Sequence, residues 1–278
     1  MMRIDLHTHS RASDGTDTPE ALVKRAKAAA LDVVALTDHD TFDGLAAAHA
    51  AAIRVGIGLL PGVEISAQLD GVSVHLLGYG CDTANLRLGG ELRKIRTGRE
   101  RRMPTMLAKL EELGMPVTLA DVHAQSGGSP SVGRPHVADA LVAKGYIASR
   151  EEAFAGFLDD GGAAFVPRYS VEVVRGIRLI HGAGGVAVIA HPWGRVSRAV
   201  LTPDVLARLR NDHGLDGLEV DHGDHDQADR AQLRALAKQL GLLVTGGSDY
   251  HGDGKTGHDL GSETTAPGIW AKIADRSG

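Results

Sequence analysis

The sequence predicts an α/β fold of βα units around parallel strands, on three observations. Short β-rich apolar runs alternate with Ala-rich helical stretches from the start of the chain. Histidines and carboxylates recur just after most of those apolar runs. Over residues 87–168 the strand signal disappears and helical patterns take its place, as an insert would read. With 278 residues, 43% of them hydrophobic, the chain can bury one large core, or one core and an insert.

The strands are expected at 2–7, 33–36, 58–63, 72–79, 186–190, 218–220 and 242–245. Between the first two, Thr18 can cap a helix whose first position is Pro19, where a missing N–H costs nothing, and the Ala-rich run carries it to residue 30. In the insert, Gly98, Pro104, Gly114, Gly127-Gly128 and Gly161-Gly162 punctuate two or three helices, and Met106, Leu107, Leu110 and Leu113 recur at helical spacing as a buried stripe. Gly182-Ala183-Gly184-Gly185 reads as a helix stop, since it lacks the Lys-Ser/Thr of a phosphate-binding loop. From Gly252 onward the glycine-rich stretch reads as loop.

Composition excludes several classes. The formal charge of −5 gives no global footprint for duplex DNA, so any nucleic-acid contact must be local. The single cysteine, Cys81, has no internal partner, and no long apolar run or signal-peptide pattern is present; a cytoplasmic protein without a membrane partner is expected. Glycine, at 36 residues, is about double the usual share, which implies many tight turns.

The chemistry lies at the strand ends. Asp5-Leu6-His7-Thr8-His9 closes the first strand, and residues two apart on an extended chain point to one side, so His7 and His9 can chelate one ion. The second strand ends in Thr37-Asp38-His39-Asp40 and the third in Gly62-Val63-Glu64. His75 belongs to the fourth, Ala190-His191-Pro192 to the fifth, and Gly247-Ser248-Asp249-Tyr250-His251 to the last. In a βα barrel such ends converge on one mouth. A lone histidine of this kind more often caps a strand than binds metal, but the set points to a metal centre. Imidazole with carboxylate and no thiolate suits a hydrolytic Zn, Mn or Fe site rather than a structural zinc site. Asp14 lies in a Ser-Asp-Gly turn near enough to reach the same mouth, or is a plain turn residue. Asp38 reads as a residue orienting a neighbouring imidazole.

These motifs together, with Ser13-Asp14-Gly15 and Thr37-Asp38-His39-Asp40-Thr41, resemble the PHP family, named for polymerase and histidinol phosphatase, over nearly the whole chain. The resemblance implies a distorted (β/α)7 barrel of the PHP type, formed by 1–86 and 169–278, with residues 87–168 as a small helical insert covering the mouth. It also implies three divalent metal ions (Mn, Zn or Fe) and hydrolysis of phosphate esters. Carried onto this chain, it gives His7, His9, Glu64 and Asp249 to one ion, Glu64 as a bridge with His75 and His191 to a second, and Asp14, His39 and His251 to a third. A metal-bound hydroxide held by Glu64, Asp249 and His191 would then attack the phosphoryl group, because paired divalent ions lower the pKa of a shared water.

A second phosphate needs further cations. Arg134-Pro135-His136 is the sharpest candidate: Pro135 biases Arg134 to an extended conformation and opens a helix over 137–143, and similar segments occur in the TrpH-like branch of the family. Six basic side chains between residues 93 and 102, among them Arg99 and Arg102, are either a solvated helix face or an electrostatic funnel for a nucleotide or short single strand. After the sixth strand, His222, Asp224 and His225 either donate a proton to the leaving alcohol or line the mouth. Arg168, Tyr169 and Trp193 are further candidates for facing the substrate, with plain packing at least as good a reading for Trp193. No pattern lifts His49, His123, His181, His213 or His258 above surface or packing roles.

The expected substrate is a nucleotide 3′,5′-bisphosphate, cleaved to the 5′-monophosphate, or the 5′ end of short RNA. The rivals are a histidinol-phosphate phosphatase, which the basic insert and Arg134 weigh against, and a non-catalytic metal-stabilised PHP module.

Overall fold

The structure is a computed structural model that describes residues 2–276. Its strands are β1 (Ile4–Asp5), β2 (Val33–Leu36), β3 (Gly58–Leu69), β4 (Val72–Tyr79), β5 (Val171–Glu172), β6 (Val186–Ile189), β7 (Gly217–Asp221) and β8 (Leu243–Gly246). They form one sheet in the order β1-β2-β3-β4-β6-β7-β8, with β5 attached to β3 off that path. The two ends of the order meet: the Asp249 N–H donates to the His7 carbonyl at 2.9 Å and the His9 N–H to the Tyr250 carbonyl at 2.8 Å. This nearly closes the sheet into the distorted barrel of seven strands that the sequence predicts.

Not every strand is parallel. Asp70 and Gly71, both at positive φ (51° and 80°), make a two-residue turn between β3 and β4. So short a link cannot hold a crossover helix, so β4 runs antiparallel to both β3 and β6. As a result β3 continues to Leu69, past the expected end at residue 63. The fourth strand also brings His75 to the mouth from its first half rather than its end. β5, at two residues, is too short to leave a periodic signal.

Apolar residues from β1, β2, β3, β4, β6 and β8 form one cluster inside the barrel, including Ile4, Leu60, Leu77, Tyr79, Val188 and Leu243. The cluster continues to Ile273 of α10 (Pro267–Ala274), where the sequence predicts only loop. Outside the barrel pack α1 (Pro19–Ala28), α2 (Leu45–Val55), α7 (Val173–Gly182), α8 (Pro203–His213) and α9 (Gln227–Leu240). Thr18 caps α1 as predicted, its hydroxyl oxygen accepting from the Ala21 N–H at 3.2 Å. Among the described residues no helix is long and apolar enough to cross a membrane.

Between β4 and β5 lie α3 (Leu86–Glu112), α4 (Leu119–Ser126), α5 (Arg134–Ala143) and α6 (Arg150–Ala153), the last continued by a π turn at Phe154–Leu158. α3 runs through both Gly98 and Pro104, where breaks are expected. Gly98 is there for close approach, since a Cβ would sit 3.1 Å from that of Tyr169. Pro104 is tolerated because buried stripes on either side hold the helix against different bodies. Leu88, Leu92 and Ile95 join the barrel's outer core, whereas Met103, Met106, Leu107 and Leu110 begin a separate core with Val122, Val137, Leu141 and Leu158. Leu113 falls off the predicted stripe and is exposed at the helix end.

One buried network joins the two bodies. The Asp40 carboxylate accepts from the Ser66 N–H (2.7 Å) and hydroxyl (2.9 Å) and pairs with the Arg99 guanidinium, which also donates to Ser131 at 3.1 Å. Removing one partner of such a pair leaves an uncompensated buried charge. Arg99→Ala should therefore cost about 3–5 kcal/mol in urea unfolding of the metal-free protein. A loss under about 1 kcal/mol, the worth of an exposed pair, would contradict this role.

Candidate metal centre

The strand ends place nine predicted ligands around one point. His7 and His9 follow β1 on one side of the chain, His39 follows β2 and bridges the Glu64 backbone, and His75 comes from β4. His191 follows β6, Asp249 and His251 follow β8, and Asp14 lies in the turn after β1. Glu64 is central. Its Oε2 lies 3.3 Å from His7 Nε2, 3.1 Å from His9 Nε2 and 3.1 Å from His39 Nδ1; its Oε1 lies 2.8 Å from His75 Nδ1 and 3.3 Å from His191 Nε2. Asp249 Oδ1 lies 3.4 Å and 3.3 Å from the Nε2 atoms of His7 and His9, and Asp14 Oδ1 lies 3.3 Å from His251 Nε2.

These residues fit divalent ions. Ligands about 2.0–2.2 Å from a tetrahedral metal are held roughly 3.3–3.5 Å from one another, close to the spacing seen here. His7 Nε2, His9 Nε2, Asp14 Oδ1, His39 Nδ1 and His75 Nδ1 are buried without a hydrogen-bond partner, as atoms shaped to bind a cation would be. Among the described residues five groups could hold an ion: His7, His9, Glu64 and Asp249; His9, Asp14, His39 and His251; His39, Glu64 and His75; and, around His222, His7 with Glu219 and Asp249 with His258. The first is the set the resemblance implies. The second adds His9 to the implied third set. In the third, His39 stands where His191 is expected, and His191 reaches the same Glu64 oxygen from the other side. His191 and Asp249 are held at positive φ (27° and 53°), backbone strain that aims both side chains inward.

Charge and burial divide the imidazoles. Burial holds His39 down at about 3 and lowers His75 and His251, so these three are neutral and ready to donate a lone pair. Burial opposes the charged form of His7 and His9 too, but there carboxylates prevail. Glu219, Asp249 and Glu64 hold His7 well above its usual value, and Asp249 and Glu64 raise His9 to about 9. Glu64, Asp14 and Asp249 stay ionised despite burial, Glu64 and Asp14 because of the imidazoles around them and Asp249 because of Lys255, His7 and His251.

A supporting layer fixes the rings. Both Glu219 oxygens accept from His7 Nδ1 (3.0 and 3.1 Å), and Glu219 Oε2 also accepts from the His191 N–H at 2.9 Å. This turns His7 so that Nε2 faces Glu64 and Asp249. Sequence reasoning passes over Glu219 because it lies inside the sixth strand, among residues taken as core. A carboxylate in an apolar strand is the signal that was available. Among the described residues Asp38 makes no hydrogen bond to an imidazole; it accepts from the Ser10 N–H and hydroxyl and from Ser13, whose hydroxyl lies 3.5 Å from His9 Nδ1.

A cavity of about 340 Å³ opens over the ligands. Its far wall is the insert, through Pro135, Arg150, Glu151, Phe154 and Asp159, and its rim carries Lys255, Thr256 and His258. Lys255 pairs with Asp249, and His258, which the sequence left without a role, donates from Nδ1 to the Ser248 carbonyl at 2.7 Å. Arg134 sits in an adjoining recess of about 50 Å³ with His75, His191 and Ser197, its guanidinium on Asp160 (2.9 Å) and the Leu158 carbonyl (2.8 Å).

None of the other predicted substrate residues lines the cavity or the recess. His136 is buried, its Nδ1 accepting from the Gly133 N–H at 3.0 Å at the start of α5. Arg99 is held by Asp40, and Arg102 donates to the Val166 carbonyl at 3.1 Å. His222 is fully buried beneath Asp249, 3.3 Å from its Oδ2. Trp193 and His225 are packing residues, the indole N–H donating to the Leu201 carbonyl at 2.9 Å.

The PHP domain matches residues 5–109. Across 276 residues the chain is 37% identical to a 3′,5′-nucleoside bisphosphate phosphatase of Chromobacterium violaceum, covering 98% of this chain and 95% of that protein. The chain belongs to the PHP family. A 5′-3′ exoribonuclease of Haemophilus influenzae is 36% identical over 252 residues, 90% of each chain. A solved structure from Bifidobacterium adolescentis, an inferred metal-dependent phosphoesterase, superposes with a TM-score of 0.95 at 38% identity over 99% of this chain and 96% of that one. This PHP protein is thus a metal-dependent phosphoric ester hydrolase, and the non-catalytic alternative falls.

Two outcomes follow for this PHP centre. Glu219→Gln should weaken metal binding by about 10–100-fold, the usual cost of losing a partner that orients a ligand; unchanged affinity by titration calorimetry would remove Glu219 from the site. In the metal-free protein, His9 at about 9 lies above its unfolded value of about 6.5. Its contribution to stability is therefore full below about pH 6.5 and is lost as pH rises through about 9. Metal must displace that proton, so binding at pH 7.5 should release protons, read as a dependence of binding heat on buffer ionisation enthalpy. No such dependence would contradict a protonated His9.

Proposed function

We propose that the protein removes the 3′-phosphate of a nucleoside 3′,5′-bisphosphate, giving the 5′-monophosphate and phosphate, and acts on the 5′ end of short RNA by the same chemistry. The observation that carries this reading is the pairing of two phosphate-sized places. One is the ligand-lined floor of the cavity, and the other is the adjoining recess of about 50 Å³ where Arg134 stands beside His75 and His191. The names of the two relatives above agree with such substrates.

His7, His9, Glu64 and Asp249 would hold one ion, with His39, His75, His191, Asp14 and His251 holding the others, three in all. Bound divalent ions supply hydroxide near neutral pH and neutralise phosphoryl charge. The chain's own residues do the rest. Glu64 and Asp249, kept ionised, concentrate negative charge where the cations belong. Lys255, on Asp249 at the rim, offers an ammonium group to the phosphoryl oxygens. Asp160 holds one nitrogen of Arg134 and leaves the rest of the guanidinium to meet the uncleaved phosphate. Pro135 and Phe154 give the nucleoside an apolar wall in a cavity at the small end of the usual range of about 300–1,000 Å³. Histidinol phosphate has an amine in place of the second phosphate, which Arg134 would repel.

Arg134→Ala should lower kcat/KM for adenosine 3′,5′-bisphosphate by about 1.5–3 kcal/mol, the worth of a hydrogen bond to a charged group, and affect a simple monoester less. Equal losses on both, or a wild-type preference for histidinol phosphate, would overturn the assignment.

A further inference from the structure

A second concave surface lies apart from the metal cavity, on the outer face of α3. This groove, of about 850 Å³, runs between α3 and the segment that re-enters the barrel, and it is lined by Arg93, Lys94, Arg101, Arg102, Arg168 and Tyr169. No acidic residue is among its lining residues. Arg93, Lys94 and Arg101 are exposed, and among the described residues no carboxylate pairs with Arg93 or Arg101, while Lys94 meets only the buried Glu91 at 3.5 Å. The spacing puts these cations on one face, over a stretch of roughly 22 Å of helix between Gly90 and Thr105. Small residues, Gly90, Thr97 and Gly98, keep the floor low. Opposite them the half-exposed Tyr169 ring is fixed by its hydroxyl, which donates to Glu91.

The inner end of the groove leads toward the metal centre. Arg99, about one turn from Arg102 on α3, donates to the Ser66 hydroxyl at 2.7 Å, and Ser66 pairs across the hairpin with His75. Arg134 and His75 share the recess beside the cavity. Through Arg102, Arg99 and Ser66 the inner end of the groove is therefore tied to the strand that carries His75. A free mononucleotide in the cavity has no phosphate to place so far out; a strand does.

We propose that the α3 groove holds the phosphodiester backbone of single-stranded RNA whose 5′ end lies in the metal cavity, with Arg93, Lys94 and Arg101 on successive phosphates and a base against Tyr169. Cationic groove plus aromatic platform is the general means of holding a single strand without reading its sequence. The groove is too short for more than about four nucleotides, the small end of such sites. The inference deepens the RNA arm of the phosphoesterase reading and rests on it.

The test is the metal-loaded protein and its Arg93→Glu, Lys94→Glu, Arg101→Glu triple variant, whose exposed positions leave the core intact; matching thermal transitions confirm this. With a 5′-phosphorylated RNA octamer, kcat/KM should fall at least tenfold in the variant. With adenosine 3′,5′-bisphosphate it should stay within twofold. The slope of log affinity for the octamer against log salt should shrink by about 2, since each phosphate contact on a single strand contributes about 0.7. Equal losses on both substrates, or an unaffected octamer, would overturn the groove. Matched-charge polyglutamate competing as well as RNA would overturn it too, by making the surface a general anion trap. Should the wild type cleave neither substrate, the substrate reading fails, and octamer binding by fluorescence anisotropy still decides the groove: binding lost in the variant supports it, and binding retained overturns it.

Discussion

Everything at the mouth of this barrel is arranged around one buried carboxylate. Glu64 is 1% exposed, and five imidazole nitrogens lie within 3.3 Å of its two oxygens. A lone carboxylate so placed would be costly, by several kcal/mol even after relaxation. Imidazoles that burial keeps neutral, as it does His39 and His75, offer no full charge to relieve that cost. Only cations do: protons on His7 and His9 in the metal-free state, or divalent ions between Glu64 and its neighbours. Glu64 thus helps raise His7 and His9, whereas burial outweighs it at His39 and His75, and metal binding and release of the protons on His7 and His9 become two sides of one equilibrium.

The position of Glu64 depends in turn on the hairpin. A two-residue turn at Asp70-Gly71 forces β4 antiparallel, and that reversal carries His75 to the mouth from the start of its strand, opposite Ser66. Ser66 also binds Asp40, which binds Arg99. Glu64, hairpin and insert are therefore coupled through residues two apart on β3, and a change in the packing of α3 reaches the predicted ligands within two side chains. The insert is not simply a lid laid on a finished barrel, because the first half of α3 belongs to the barrel's own core.

Much of this was legible in the sequence because candidate metal ligands at strand ends obey two simple rules: side chains alternate along a strand, and barrel strands end at one mouth. His7, His9, His39, Glu64, His191, Asp249 and His251 stand out by those rules; His75 was read with them although it lies inside its strand, and Asp14 joins them only through the family resemblance. What escaped notice depends on tertiary contact. Glu219 looks like one more strand residue until His7 is seen against it. Gly98 reads as a break until Tyr169 is found filling the space over it. Leu69 and β5 were missed because a strand that leaves the barrel, or one of two residues, carries no periodicity. Lys255 and His258 lie in a loop whose path nothing local fixes.

The basic run from Arg93 to Arg102 holds the plainest case of a linear reading being resolved by the third dimension. In sequence it is one patch; on an α-helix each residue turns about 100° from the last, so the charges separate into classes. Arg99 turns inward to Asp40, and Arg96 reaches the Asp40 carbonyl. Arg102 is buried at the inner end of the groove, where burial and neighbouring guanidiniums disfavour its charge but, for arginine, do not remove it. Arg93, Lys94 and Arg101 remain in solvent. A run that looks like a single electrostatic device is therefore three: a strut between insert and barrel, an inner cation held on the Val166 carbonyl, and an outer row exposed to solvent. Because each class sits on its own face of one helix, the strut's contribution to stability and the proposed strand binding would be physically separable although their residues are neighbours in the chain.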